Sequence, residues 1–327
     1  MKIMLYGHPD PAVMGRMEGL EKALLEKGFP VIHAQERFFS WAGLLKCALN
    51  KPEPVGGLRL APGLVRRAGR ERPDIFLAVN GGLAPSTVSG IRSCGAVALL
   101  WTDAASGDAA SLKEEAEVYS QVFAAGSRAM EALGSAGMSV PVAWLPWACD
   151  PGANQAVEIS LEDRMRYGSA IAFTGPYHKD SEELLAQVTD LDLGIRGPSW
   201  AGAGKGSALK PYIDAAPLGG AQRTKVFLAS DIVLILHHGD GPGAGIFEAM
   251  ACGAFVFSAE HKAARDLFRD GEHVVFFKDA QDLRHKARYF LTRPQERSAI
   301  ARAGQLEVLS RHTYAHRLDA MISFFKL

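Results

Sequence analysis

Four cysteines in 327 residues, with no CxxC pair among them, leave no disulfide framework and no thiolate zinc site to build on. Cys47, Cys94, Cys149 and Cys252 are scattered along the chain. An excess of one charge is also missing, since 36 Lys and Arg balance 36 Asp and Glu. That removes the global electrostatic reason to expect nucleic acid or an anionic membrane as partner, and leaves at most peripheral membrane contact. No apolar run approaches the roughly 20 residues needed to cross a bilayer. The opening MKIMLYGHPDP has too short an apolar run for a signal-peptide core, and no cleavage site, so a soluble cytoplasmic protein is expected. No sequence repeat is visible.

What is present is ordinary globular composition, 48% hydrophobic and 22% charged. The length suits two α/β domains of roughly 150 residues each. Short apolar runs alternate with helical patterns from the start. Residues 2–6 predict a strand, and 14–27 a helix with Met14, Met17, Leu20 and Leu24 on one face and Gly28 as its stop. Strands are expected again at 29–33, 74–79, 96–101, 122–125 and 142–145. Residues 146–155 (PWACDPGANQ) interrupt the pattern with turn formers and mark the expected domain boundary. Beyond it, strands are expected at 170–173, 193–196, 232–236, 255–258 and 274–277. Helices are expected at 181–187, 223–228, from about 244, and at 280–291, 295–309 and 314–325. Residues 199–220, rich in Gly, Ala and Pro, read as one long loop.

Strands that are apolar throughout, interleaved with helices, imply parallel sheets covered on both faces. The expected architecture is two Rossmann-like, doubly wound parallel-sheet domains facing a central cleft, with ligands at the carboxyl ends of the strands.

One segment carries a chemical signal. Residues 237–258 read HHGDGPGAGIFEAMACGAFVFS: a strand end, a glycine-rich loop and a helix that stops at Gly253. Gly239, Gly241, Gly243 and Gly245 let the backbone approach a ligand and turn its N–H groups outward, and the helix start adds positive partial charge. A diphosphate needs that construction. Glu248, eight residues after Asp240, is expected in the first helical turn, where its carboxylate can accept ribose hydroxyls. The plainer reading also stands: glycines make turns, and a first-turn acid gains about 0.3–1 kcal/mol from the helix dipole.

The run FEAMACGAFVFS, then RDLFRDGEHVVFFKDAQDL, then KARYFLTRPQERSAIARAGQLEVLSRHTYAHRL, resembles the C-terminal block of the CgeB-like spore-maturation glycosyltransferases, relatives of the group 1, family 4-like enzymes of bacteria. The likeness covers about ninety residues and includes the HTY of residues 312–314 followed by Arg317. It extends more weakly to AIAFTGPYHKDSEELL at 170–185, and to LLWTDAASGD and WLPWACDP upstream. The resemblance implies a GT-B fold with an acceptor-side domain at 1–152 and a nucleotide-sugar domain at 153–311. A final helix, 312–327, would cross back to the first domain. Glu248 matches the second Glu of the relatives' E-x7-E motif, the ribose contact. Asp240 stands where the first Glu would be, one methylene shorter. Gly175 and Lys179 fall near the relatives' phosphate loop, although Lys179 reads equally as a solvated lysine before a helix. Gly243, Gly245 and Ile246 would hold the diphosphate, with the base recognised near 217–223 and Arg223 as a further contact.

In the first domain, His8 follows the first strand, where inverting GT-B enzymes often keep their base, and Asp103 could orient it. The alternative is a Gly-His-Pro turn and a capping aspartate. Asp240 with Glu248 suits retention and His8 with Asp103 suits inversion, so stereochemistry stays open. His237 and His238 lack companions at ligand spacing, and no metal is expected. Trp41, Trp144 and Trp147 read as core or packing residues, Trp200 as a candidate sugar platform, and Arg66, Arg67, Arg70 and Arg72 as a solvated helix face. The expected activity moves a sugar from a UDP-, GDP- or TDP-sugar to a saccharide, protein or cell-envelope acceptor, with no cofactor beyond the donor. The alternatives are an epimerase or hydrolase on the same fold, or a binding protein without catalysis.

Overall fold

The computed structural model describes residues 1–7, 11–34, 61–103, 109–203, 206–214, 218–237 and 242–324. His8, Trp41, His238 and Asp240 lie outside the described residues. By contact density the chain divides into Met1–Pro146 joined by the chain from Leu318 onward (unit 1), and Trp147–Arg317 (unit 2).

Unit 1 runs β1 (Ile3–Gly7), α1 (Pro11–Glu26), β2 (Val31–His33), α2 (Pro62–Glu71), β3 (Ile75–Val79) and α3 (Pro85–Arg92). It continues with β4 (Val97–Thr102), α4 (Ala109–Ala116), β5 (Gln121–Ala124), α5 (Ser127–Ser135) and β6 (Val142–Trp144). The six strands pair in parallel in the order β2-β1-β3-β4-β5-β6. β1, β3 and β5 are buried at every position, which is why their sequences show no polar alternation. Gly28 closes α1 with a left-handed φ of 80°, the stop its sequence indicates. Pro62 and Pro85 open α2 and α3, where a first-turn proline loses no hydrogen bond. The arginines at 66, 67 and 70 belong to α2, with Arg72 as its left-handed cap.

One face of this sheet packs Met4, Phe76, Leu100 and Val122 against Leu64, Val88, Ile91 and Leu133 of the helices. The opposite face, with Ile3, Ile75, Leu77 and Leu99, meets Leu24 of α1 and Leu318, Met321 and Ile322 near the end of the chain. Lys27 binds Asp319 at 2.6 Å, and the Phe123 and Phe324 rings meet edge to face at 5.4 Å.

Unit 2 contains α6 (Leu161–Tyr167), β7 (Ile171–Phe173), α7 (Lys179–Ala186), β8 (Leu193–Arg196) and β9 (Ile213–Asp214). After these come α8 (Gly220–Ala229), β10 (Ile232–Ile235), α9 (Ala244–Ala251), β11 (Val256–Ala259) and α10 (Lys262–Arg265). β12 (Val275–Phe277), α11 (Ala280–Leu291) and α12 (Pro294–Arg311) complete it. A final helix, α13 (Tyr314–Ser323), begins in unit 2 and ends among the residues of unit 1. The second sheet is also parallel, in the order β12-β11-β10-β7-β8-β9. Residues 199–220, expected as a single loop, hold two 3-10 turns and β9, which extends the sheet beside β8. Trp200 and Leu209 account for the difference, since both are buried and tie a glycine-rich stretch to the core.

The HTY segment and Arg317 form a buried knot. The backbone of Cys149 pairs with that of Thr313: Cys149 N–H donates to the His312 carbonyl at 3.0 Å, and Tyr314 N–H to the Cys149 carbonyl at 3.1 Å. Arg317 donates to the Trp147 carbonyl at 3.0 Å and to Nδ1 of His312 at 2.9 Å. Because a guanidinium can only donate, Nδ1 of His312 is the unprotonated nitrogen. The His312 ring packs in a triangle with those of Phe247 and Phe268, 5.6 and 5.4 Å away and 5.7 Å from each other. Burial, with the Arg317 charge beside it, pulls the His312 pKa down from 6.5 to about 3, and burial lowers Arg317 to about 10.

Candidate functional site

In an open parallel sheet, ligands bind beyond the strand carboxyl ends where neighbouring connections leave in opposite directions. In unit 2 that point falls between β7 and β10, and in unit 1 between β1 and β3. The described residues that leave these strand ends are 174–178, 236–237 and 242–243 in unit 2, and 80–84 in unit 1.

At the β10 edge, Gly243 is the N-cap of α9, with φ −61° and ψ 165°. Being glycine, it brings no side-chain acceptor of its own to the first N–H groups of the helix. Among the described residues, no atom lies within 4 Å of where a Cβ on Gly243 would sit, and Gly245 would meet only Ile235 at 3.9 Å. Neither position has positive φ. Packing among the described residues and backbone strain thus do not require glycine at either position. Ile246 is fully buried, which leaves its backbone as the part a ligand could reach.

Glu248 is the fifth residue of α9, in its second turn rather than the first, because the helix starts at Ala244. Its carboxylate is 17% exposed and forms an ion pair with Arg223 of α8. The dipole argument for a first-turn acid therefore does not apply to it. Sequence reasoning placed Glu248 and Arg223 in one site, and the structure brings them together.

The β7 edge is shaped by packing. The Gly175 carbonyl accepts the Trp200 indole N–H at 2.9 Å, and a Cβ there would collide with the Phe173 ring. Gly197, at φ 153°, lies so close to the Gly175 backbone that a side chain would not fit. Trp200 is 1% exposed and stands edge to face with Phe173 and Tyr177, which rules out its expected role as a sugar platform. Lys179 begins α7, is 80% exposed and pairs with Glu183 at 3.7 Å, the arrangement of a solvated lysine. His237 bonds to Ser258 at 2.8 Å, and the His261 ring is 5.5 Å from it. Ser258 donates to the Ala259 carbonyl at 3.1 Å, so His237 Nε2 is the donor in that bond.

In unit 1, Asp103 follows β4 and binds Arg16 of α1 at 3.1 Å, while its N–H donates to the Asn80 side chain at 3.1 Å. Asn80, Gly81 and Gly82 all have positive φ (56°, 46° and 83°). The Glu115 carboxylate sits against this turn and accepts the N–H groups of Gly82 and Leu83. Burial pushes the Glu115 pKa up, and those two hydrogen bonds partly offset it. Arg16 and Glu115 were not identified from sequence. Glu115 lies in LKEEAEVY, where nothing separates it from Glu114 or Glu117. No group of three metal-ligating side chains occurs among the described residues, and no described helix is long and apolar enough to cross a membrane.

Comparison with known proteins follows the same outline. The family described as glycosyl transferase-like matches residues 179–323. No curated protein sequence matches the chain. Among solved structures, Anabaena HepE in complex with UDP and glucose is similar at TM-score 0.67 and 14% identity, covering 99% of each chain. Sucrose-phosphate synthase from Thermosynechococcus elongatus gives TM-score 0.69 at 13% identity, covering 99% of this chain and 98% of the other. An E. coli trehalose-6-phosphate structure bound with UDP-2-fluoro glucose gives 0.65 at 12%, again covering 99% and 98%. The fold is GT-B, with two α/β units that each carry a six-stranded parallel sheet and flanking helices.

Proposed function

We propose that this protein is a glycosyltransferase that moves a hexose from a nucleoside-diphosphate sugar to a hydroxyl acceptor. The observation that carries the reading is the start of α9. A helix N-terminus at the switch point has glycine at its cap and at its second residue, Gly243 and Gly245, neither crowded by described residues, and a carboxylate stands one turn inside. Diphosphate oxygens suit the N–H groups of Gly243, Gly245 and Ile246, and a ribose diol suits Glu248. UDP is the favoured nucleotide, because HepE and the E. coli structure are held with UDP, glucose or UDP-2-fluoro glucose. The family match over 179–323 supports the same class.

In this reading unit 2 binds the donor, and unit 1 receives a saccharide, protein or cell-envelope acceptor near Asn80–Gly82, Asp103 and His8. The reaction proceeds without a metal. The CgeB-like group is the assigned subgroup, and the cytoplasm, with at most peripheral membrane contact, the assigned location. Arg16 holds Asp103, so Asp103 serves the acceptor side through that pair rather than through His8 alone. UDP, GDP and TDP should be compared for their effect on the melting temperature, and donor hydrolysis measured in wild type and Glu248→Ala. UDP is expected to stabilise the wild type, and the variant to lose most of that shift. A protein that no nucleoside diphosphate stabilises would sink the proposal. One that binds UDP-glucose yet transfers and hydrolyses nothing would be a binding protein instead.

A further inference from the structure

We propose that Arg223 is a positioning residue for the nucleotide ribose and acts through Glu248. The inference rests on the donor-site reading above and goes beyond it by separating what Arg223 does from what the phosphates need.

The case begins with a residue that breaks a local rule. Arg223 is the fourth residue of α8, in a first turn that contains no acidic residue. A cation there faces the positive end of the helix dipole and is disfavoured by it. Local rules are broken most often where function demands it. The guanidinium of Arg223 is 35% exposed and reaches the neighbouring helix to pair with Oε2 of Glu248. It also lies over the ring of Phe227, one turn along α8, at 5.8 Å. A second contact holds the helices in register beside the pair: Thr224 and Cys252 meet at 3.8 Å, both buried. The Glu248 side chain is thus oriented by a rigid partner on a packed helix, not by a loop.

A guanidinium that donates to one carboxylate oxygen favours the charged form, limits where that side chain can swing, and leaves the other oxygen for further donors. An ionised carboxylate is an acceptor only, as two ribose hydroxyl donors require. The same contact could instead act as a latch that occupies Glu248 until the nucleotide displaces it. The two roles predict opposite effects of removing the arginine.

The experiment measures Kd for UDP and for 2′,3′-dideoxy-UDP in wild type, Arg223→Gln, Arg223→Lys and Glu248→Gln, with melting curves to confirm that each variant folds. Arg223→Gln is expected to weaken UDP about tenfold while leaving dideoxy-UDP unchanged. Arg223→Lys should restore most of the loss, and Arg223→Gln should add nothing in the Glu248→Gln background. Unchanged or tighter UDP binding in Arg223→Gln would overturn the proposal, the tighter result in favour of the latch. Equal weakening of both ligands would overturn it in favour of direct contact with base or phosphate. A wild type that binds UDP and dideoxy-UDP alike keeps the donor site and rejects this role, whereas no UDP binding at all rejects the donor site itself.

Discussion

Replacing His312 with Gln should remove a pH-dependent part of the protein's stability. In the folded chain His312 is 9% exposed, packs against the rings of Phe247 and Phe268, and accepts from Arg317 through Nδ1. Protonation would bury a second positive charge against the guanidinium, so the pKa falls from 6.5 to about 3. The unfolded chain binds a proton at His312 below pH 6.5 that the folded chain refuses. The contribution is therefore complete above 6.5 and drains as pH falls toward 3, by about 1.4 kcal/mol per pH unit. Near pH 5 the loss is about 2 kcal/mol, a sizeable share of a typical domain's stability. Urea unfolding followed by tryptophan fluorescence is suited to the measurement, because Trp147 sits in the same knot and accepts from Arg317. The variant will be less stable at any pH, so the informative quantity is the gap between it and wild type. That gap should shrink by about 2 kcal/mol between pH 7.5 and pH 5. A gap that does not change with pH would refute the reasoning and mean that His312 titrates alike in both states, and a gap that widens toward pH 5 would mean that it is protonated in the folded protein.

Two further substitutions test the glycines. Gly243→Ala should stay within about 1 kcal/mol of wild type in thermal stability, since a methyl there meets none of the described residues, yet weaken UDP measurably by titration calorimetry. A large stability loss would show that the glycine serves the fold. Gly81→Ala should do the reverse: φ of 46° and the Glu115 carboxylate beneath it predict a cost of about 1–3 kcal/mol by chemical denaturation. Glu115→Ala should relieve part of that cost, and a fully additive pair would count against the collision.

Much of this fold could be read from the chain because fully buried parallel strands are continuous apolar runs, and β1, β3, β5, β7 and β12 are each buried throughout. α11 runs from Ala280 to Leu291, where its pattern indicates. β9 was hidden because two residues give no period, and Trp200 because its glycine-rich surroundings suggested exposure. The glycine-rich loop and Glu248 were legible as a motif. Arg223 was legible as a site residue but its pairing with Glu248 was not, and neither was the pairing of Arg16 with Asp103. Arg223 is 25 residues before Glu248, and Arg16 is 87 before Asp103. Pairings at such separations are set by how helices lie on the sheet, and neither charge pattern nor local period encodes that.

The last helix has a consequence for how the protein is made. Leu318, Met321 and Ile322 cover the sheet face formed by Ile3, Ile75, Leu77 and Leu99, and Asp319 reaches Lys27 across 292 residues of sequence. During synthesis, the strands of the first sheet emerge well before residues 318–322, and one apolar face stays incompletely covered until those residues follow. A nascent chain stalled before residue 318 would present that face to chaperones, and to other nascent chains beside it.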